Sequence, residues 1–192
     1  MKKSWLVIGG IVILLLVLAS MYNGLVKLNV ETQSVWAKVE TQYQRRSDLI
    51  GNLVNTVKGY ADFEKSTLVA VIEARASATQ IKLDANDLSP EKIAQYQQAQ
   101  DALKGSLSRL LLTVEQYPNL KANEGFLKLQ DELAGTENRI AVARDNFNEA
   151  AKTYNIAIQT FPKNIFAGML GFKPKGFFEA APGSEKAPEV KF

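Results

Sequence analysis

Residues 126–161 read FLKLQDELAGTENRIAVARDNFNEAAKTYNIAIQTF. Phe126, Leu129, Leu133, Thr136, Ile140, Ala143, Phe147, Ala150, Tyr154, Ala157 and Phe161 keep a strict alternation of three and four over five heptads. Apolar residues at that spacing share one face of a helix, and the face must be buried against other helices. From Ile140 onward large residues alternate with alanine. Small side chains let neighbouring helices approach while rings fill the layers between. We assign these aromatics to core rather than to a cofactor box.

The same logic applies to Asn23–Lys58. Trp36, Val39, Tyr43, Arg46, Ile50, Leu53, Val57 and Tyr60 repeat the three-four spacing, which predicts a helix over about 23–58. Gly51 is a candidate bend and Gly59 the favoured end, because glycine commonly follows a helix C-terminus. Arg46 interrupts the stripe, either with its stem packed along the surface or as a partly buried ion pair that fixes register. Asp62 is positioned to cap a second helix over about 63–84, with Leu68, Val71, Ile72 and Ala76 on one side. Asp84–Pro90 is a loop by composition. Ser89 as N-cap with Pro90 at the first helical position starts a third helix, over about 90–116. Tyr117-Pro118-Asn119 ends it, since the residue before proline is pushed out of the helical region. The fourth helix spans about 123–161.

Four helices with short connections predict an all-α, antiparallel up-down four-helix bundle over residues 23–162. At 1.5 Å per residue the first and fourth helices are each about 50–60 Å long, and the middle pair about 35–40 Å. The fourth helix then returns toward the end at which the first one begins.

Before the bundle lies WLVIGGIVILLLVLASM, residues 5–21, and no charge falls between Lys3 and Lys27. One helix crosses a bilayer with roughly 20 mostly apolar residues. Residues 1–22, with Trp5, Leu6, Ile8, Ile11, Leu14, Leu15, Leu16 and Leu18 as lipid-facing side chains, are predicted to form a single-pass anchor continuous with the first bundle helix. The competing reading is a cleaved signal peptide, for which Val17-Leu18-Ala19 is a tolerable site. The apolar run is long for that role and continues through Tyr22. A lipoprotein would need a cysteine, and the chain has none. Lys2, Lys3 and the amino group outweigh Lys27 and Lys38, which favours a cytoplasmic N-terminus. The helical domain is then periplasmic or extracellular.

After the fourth helix, residues 163–178 join Phe166, Phe172, Phe177 and Phe178 to Lys163, Lys173 and Lys175, with no acid. Rings at the acyl boundary and cations at anionic headgroups suit a membrane-interfacial segment, and the bundle geometry brings this stretch to the membrane side. The alternative is that the rings fold back and cap the bundle. Residues 179–192 turn to Pro, Gly, Glu and Lys and read as a disordered tail.

Net charge is +3 and the first two lysines supply most of it, so nothing suggests a nucleic-acid partner. Without histidine or cysteine, the commonest zinc sites, Ser-His-Asp triads and thiol nucleophiles are excluded. Any enzyme would rest on carboxylates such as Asp48, Glu64 or Glu137 beside Arg45, Arg46 and Arg139. Such pairs on a helical bundle are usually solvated or structural. No cofactor, metal site or small-molecule substrate is indicated.

Several ordered motifs carry a family resemblance. They are Tyr22-Asn23-Gly24-Leu25-Val26, the run from Gln44 to Val54, Val57-Lys58-Gly59-Tyr60-Ala61 and Tyr117-Pro118-Asn119-Leu120-Lys121-Ala122. Glu137-Asn138-Arg139-Ile140, Tyr154-Asn155, Phe161-Pro162, Gly171-Phe172 and Phe177-Phe178 follow. With these the chain resembles the LemA family of bacterial membrane-anchored proteins. It departs from that pattern at Gly51, where proline is common, and at Phe63, where histidine is common. The resemblance implies a helical bundle behind one N-terminal anchor and no catalytic residues. Arg46 and Glu137 both fall in matched segments, which makes Glu137 the first candidate partner for Arg46.

These readings converge on a non-enzymatic scaffold or adaptor of the bacterial envelope, in the inner (cell) membrane. It would self-associate as a homo-oligomer or dock other membrane proteins. A regulatory subunit of a membrane protease or transporter is the second reading. A carboxylate-dependent hydrolase or metal binder is the third.

Overall fold

A single helix, α1, runs from Lys2 to Lys58 in the computed structural model, which describes residues 2–60 and 63–180. Its first part is the apolar run. An 18-residue window there has a mean hydropathy of 2.5, and none of it is buried. Burial begins at Leu25 and recurs at Thr32, Trp36, Val39, Tyr43, Arg46, Ile50, Leu53 and Val57. One helix therefore carries an exposed apolar stretch and a buried seam in unbroken register. Gly51 does not break it. A side chain at 51 would meet the Arg75 guanidinium at 3.3 Å, and the missing side chain is what lets Arg75 lie across α1. Arg75 Nε donates to Ser47 O at 2.8 Å and to Ser47 Oγ at 3.1 Å.

The remaining helices are α2 (Lys65–Gln80), α3 (Pro90–Val114), α4 (Pro118–Lys121), α5 (Glu124–Gln159) and α6 (Lys163–Ala167). No strand occurs among the described residues. The expected Asp62 cap lies outside them. α2 ends four residues before the predicted 84, because Ile81 is extended and Ile81, Leu83 and Ala85 pack on the Trp36 cluster instead. Tertiary burial there outweighs local helix preference. Ser89 holds the N-cap position of α3 with Pro90 in the first turn, although its hydroxyl makes no cap bond. The Asn123 side chain accepts from Phe126 N at 2.9 Å and so caps α5. Its amide also donates to Tyr60 Oη at 3.1 Å, tying the start of α5 to the end of α1.

The most extensive packing is α1 on α5, followed by α2 on α3. Partner numbers fall along α5 as they rise along α1. Thr32 Oγ1 donates to Ala150 O at 3.4 Å, Arg144 Nε to Tyr43 Oη at 2.6 Å, and Arg46 meets Glu137 at 3.1 Å. Buried apolar side chains form three clusters along this length, centred on Leu53 and Phe126, on Trp36 and Phe147, and on Leu25 and Tyr154.

The α5 stripe holds from Phe126 to Phe147 and then rotates. Ala151, Asn155 and Ile158 join Tyr154 among the buried residues of its later turns. Because α5 ends at Gln159 rather than at the expected 161, with Thr160 extended, Phe161 falls beyond the helix and is 75% exposed, which corrects its assignment to the seam. A straight helix drifts about 20° per heptad against a 3.5-residue repeat. By the last turns the buried face has moved round by most of one residue.

Candidate functional site

Arg46 stands in the α1 seam and is 3% exposed. Its Nη1 lies 3.1 Å from Glu137 Oε2 on α5. Its Nη2 donates to the α3 residue Gln100, at 2.6 Å to Oε1 and 3.1 Å to the backbone O. One guanidinium thus joins three helices in a polar layer between two apolar clusters. The Tyr43 ring centroid is 5.0 Å from Arg46 Cζ, and among the described residues Arg46 Nε has no partner. Glu137 also receives Lys104 at 2.8 Å. Partial burial pushes its carboxyl up, but the hydrogen bond from Lys104 and the charges of Arg46 and Lys104 hold it below its ordinary value.

The other charged residues considered for chemistry do not join this pair. Asp48 accepts from Gln44 at 2.9 Å on the exposed face of α1. Glu64 accepts from Ser66. Arg45 reaches Glu132 at 3.8 Å, and Arg139 donates to Thr136 Oγ1 at 2.8 Å. Among the described residues no three acidic side chains converge.

The stretch after α6 divides in two. Phe178 is 6% exposed and belongs to the core, which corrects its placement as an interfacial residue, while Lys175 is 4% exposed and sits in the wall of a cavity rather than on an open face. Phe178 stacks near Trp36 at 6.0 Å and meets Phe147 edge-on at 5.6 Å. The cause is a set of side-chain amides that grip the extended backbone of residues 175–179. Asn155 donates to Lys175 O at 2.8 Å and accepts from Lys175 N at 2.9 Å. Asn148 makes the same pair with Phe178, both bonds at 2.9 Å. Gln97 of α3 repeats it with Glu179, again at 2.9 Å for each bond. Gly176 N donates to Leu88 O at 2.8 Å. A side chain at 176 would strike Pro90 Cα at 2.7 Å, so glycine is required for the close approach. Glu179, expected at the start of a disordered tail, is part of this clamp. Residues 181–192 lie outside the described region.

The other part faces the anchor. Phe172 meets Tyr22 edge-on at 5.9 Å. Lys163, Phe166, Met169 and Leu170 line a trough against Leu18, Ala19, Met21, Tyr22 and Leu25. Lys173 and Phe177 are exposed.

Sequence reading missed the three amides. Asn148, Asn155 and Gln97 look like ordinary polar positions on helices, and their partners are backbone groups far along the chain. The one available signal was Tyr154-Asn155 at the edge of an apolar stripe. Lys175 Nζ lies 3.3 Å from Asn86 O and 5.6 Å from the Tyr154 ring centroid. Burial pushes its ammonium down, opposed by Asp87 and Asp84 nearby.

The LemA family pattern matches residues 35–192. The magnetosome protein MamQ 2 of Paramagnetospirillum magneticum is 30% identical over 185 residues, covering 85% of this chain and 66% of that protein. The magnetosome protein MamQ of Magnetospirillum gryphiswaldense is 29% identical over 181 residues, covering 85% and 66%. Protein LemA of Metamycoplasma hominis is 27% identical over 159 residues, covering 83% and 69%. The chain spans just under two thirds of the length of the MamQ proteins. With the family pattern matched from α1 to the C-terminal residues, this chain belongs to the LemA family.

Proposed function

We propose that this protein is a non-enzymatic, membrane-anchored scaffold, an antiparallel up-down four-helix bundle carried on the end of its own membrane span. It self-associates or docks other envelope proteins. The observation that carries this reading is the continuity of α1. Its apolar window is wholly unburied, and the same helix continues into the core seam from Leu25 to Val57. A helix of 57 residues transmits its orientation rigidly from bilayer to domain. The buried charge at Arg46 is engaged by Glu137 and Gln100, which suits register rather than reaction. The N-terminus is cytoplasmic, the domain lies outside the cell membrane, and α6 with Met169 and Leu170 rests at the bilayer surface beside the anchor.

Two measurements test this. The chain lacks cysteine, so Glu149→Cys, on an exposed position, reports sidedness alone. It should react with an impermeant maleimide in intact cells. Protection until lysis overturns the orientation. Light scattering of the chain in mild detergent should give a mass above one copy, or one envelope protein should co-purify at fixed stoichiometry. A lone monomer overturns the scaffold reading. A co-purifying protease or transporter would make the protein its regulatory subunit instead.

A further inference from the structure

Two cavities adjoin where α1 leaves its apolar run, and their chemistries differ. The first is the trough of about 320 Å³ between Leu18–Leu25 and Phe166–Leu170, apolar apart from Lys163. The second holds about 450 Å³ and is lined by Asn29, Asp87, Ser89, Tyr154, Lys173 and Lys175 among others, the one carboxylate in that lining, Asp87, being paired with Lys92. Tyr22 and Leu170 border both, so one molecule with an apolar and a polar end can occupy the pair.

Lys175 gives the polar cavity its character. The residue is 4% exposed, and its ammonium, with three donors, spends one on Asn86 O at 3.3 Å. Among the described residues no carboxylate pairs with it: Asp87 is taken by Lys92, and Asp84 accepts from the Asn86 backbone and side chain at 2.8 and 2.9 Å. Lys173 adds a second cation to the lining. The Ser89 hydroxyl, free of any cap bond, adds a neutral donor. A buried cation is costly unless an anion meets it, and these groups suit a phosphate.

Height along α1 selects the source of that phosphate. The apolar trough flanks residues 18–25, and the polar cavity flanks 22–29. From Met21 to Asn29 the helix rises about 12 Å, enough to cross the headgroup layer of about 5–8 Å on one side of a bilayer. We propose that the two cavities form one binding site for an anionic phospholipid, with an acyl chain in the trough and the phosphate at Lys175, Lys173 and Ser89. This rests on the membrane-anchored reading above.

The test uses the full chain in vesicles of phosphatidylcholine containing a phosphatidylglycerol that bears a photoreactive acyl chain. Labelling should fall on Leu18–Leu25 and Phe166–Leu170. It should exceed that by a photoreactive phosphatidylcholine several-fold. Lys175→Gln should reduce it about fivefold, the change expected for removing one cation from an anionic headgroup. Should that variant not fold, Ala19→Trp, which fills the trough on an unburied face without touching Lys175, should abolish the same labels. Equal labelling by the two lipids, or labels indifferent to Ala19→Trp, overturns the site. Protection of Lys175 by millimolar inorganic phosphate in detergent, without lipid selectivity, makes it a free-phosphate pocket and overturns the lipid assignment. A carbonate wash separates the two readings. A chain that washes off the vesicles was never anchored and both fall, whereas one that stays but labels without preference loses the lipid site alone.

Discussion

Asn155 holds Lys175 by both polar groups of its backbone, donating to the carbonyl at 2.8 Å and accepting from the amide at 2.9 Å. The two residues are 20 apart in sequence, and among the described residues neither group has another hydrogen-bond partner. With Asn148–Phe178 and Gln97–Glu179, it clamps an extended segment against helices that have no strand edge to offer. Asparagine and glutamine serve because each carries one donor and one acceptor in peptide-like geometry.

Asn155→Ala should therefore lower stability by about 2–4 kcal/mol, since it leaves a buried donor and a buried acceptor unpaired. Hydrogen exchange at the Lys175 and Phe178 amides should accelerate with it. Urea unfolding and exchange mass spectrometry check both. Unchanged protection at these amides would mean that the segment is held by its rings alone.

A double-mutant cycle on Arg46 and Glu137 should give a coupling of about 1 kcal/mol. The Glu137 side chain is 36% exposed, so solvent screens part of the attraction. The Glu137 carboxyl is depressed in the folded chain from its ordinary 4.5. Its contribution is thus complete above that value and is lost as pH falls through the lower folded one. The stability gap between wild type and Glu137→Gln should narrow on acidification below about pH 4. A gap constant with pH would leave Arg46 held by Gln100 only.

Phe147→Ala should cost about 3–5 kcal/mol, the usual range for truncating a buried phenylalanine. The ring is fully buried and meets Trp36 at 5.3 Å and Phe178 at 5.6 Å. Glu149→Ala removes an exposed side chain that meets Lys152 at 3.3 Å, and should stay within about 0.5 kcal/mol. Thermal melts of the two variants would coincide if the α1–α5 seam were misassigned.

Met169, 85% exposed, should sit in a less polar medium than its solvent exposure implies once the chain is in a bilayer. A polarity-sensitive dye on Met169→Cys should shift to shorter wavelength in vesicles, and the same dye on Lys152→Cys should not. Identical spectra would place α6 away from the membrane. Phe178→Ser should instead lower the melting temperature, because that ring is core.

The sequence by itself determined the helical class, the α1 and α5 seams, the turn at Ser89-Pro90 and the length of the apolar run. Each rests on local periodicity or on the stereochemistry of single residues, and both act within a few turns of chain. Even Arg46 was visible, as a charge where the heptad called for an apolar group. Tertiary structure decided what local signals do not encode. The rotation of the α5 face after Phe147 accumulates over several turns. The early end of α2 depends on where Ile81 and Leu83 find cover. The fate of Lys175 and Phe178 depends on amides from two distant helices meeting an extended backbone. Composition alone marks phenylalanine and lysine without acids as interfacial. Two of those residues are buried because hydrogen bonds to their backbone, which no side-chain pattern records, draw them against the helices, Phe178 into the core and Lys175 into a cavity wall.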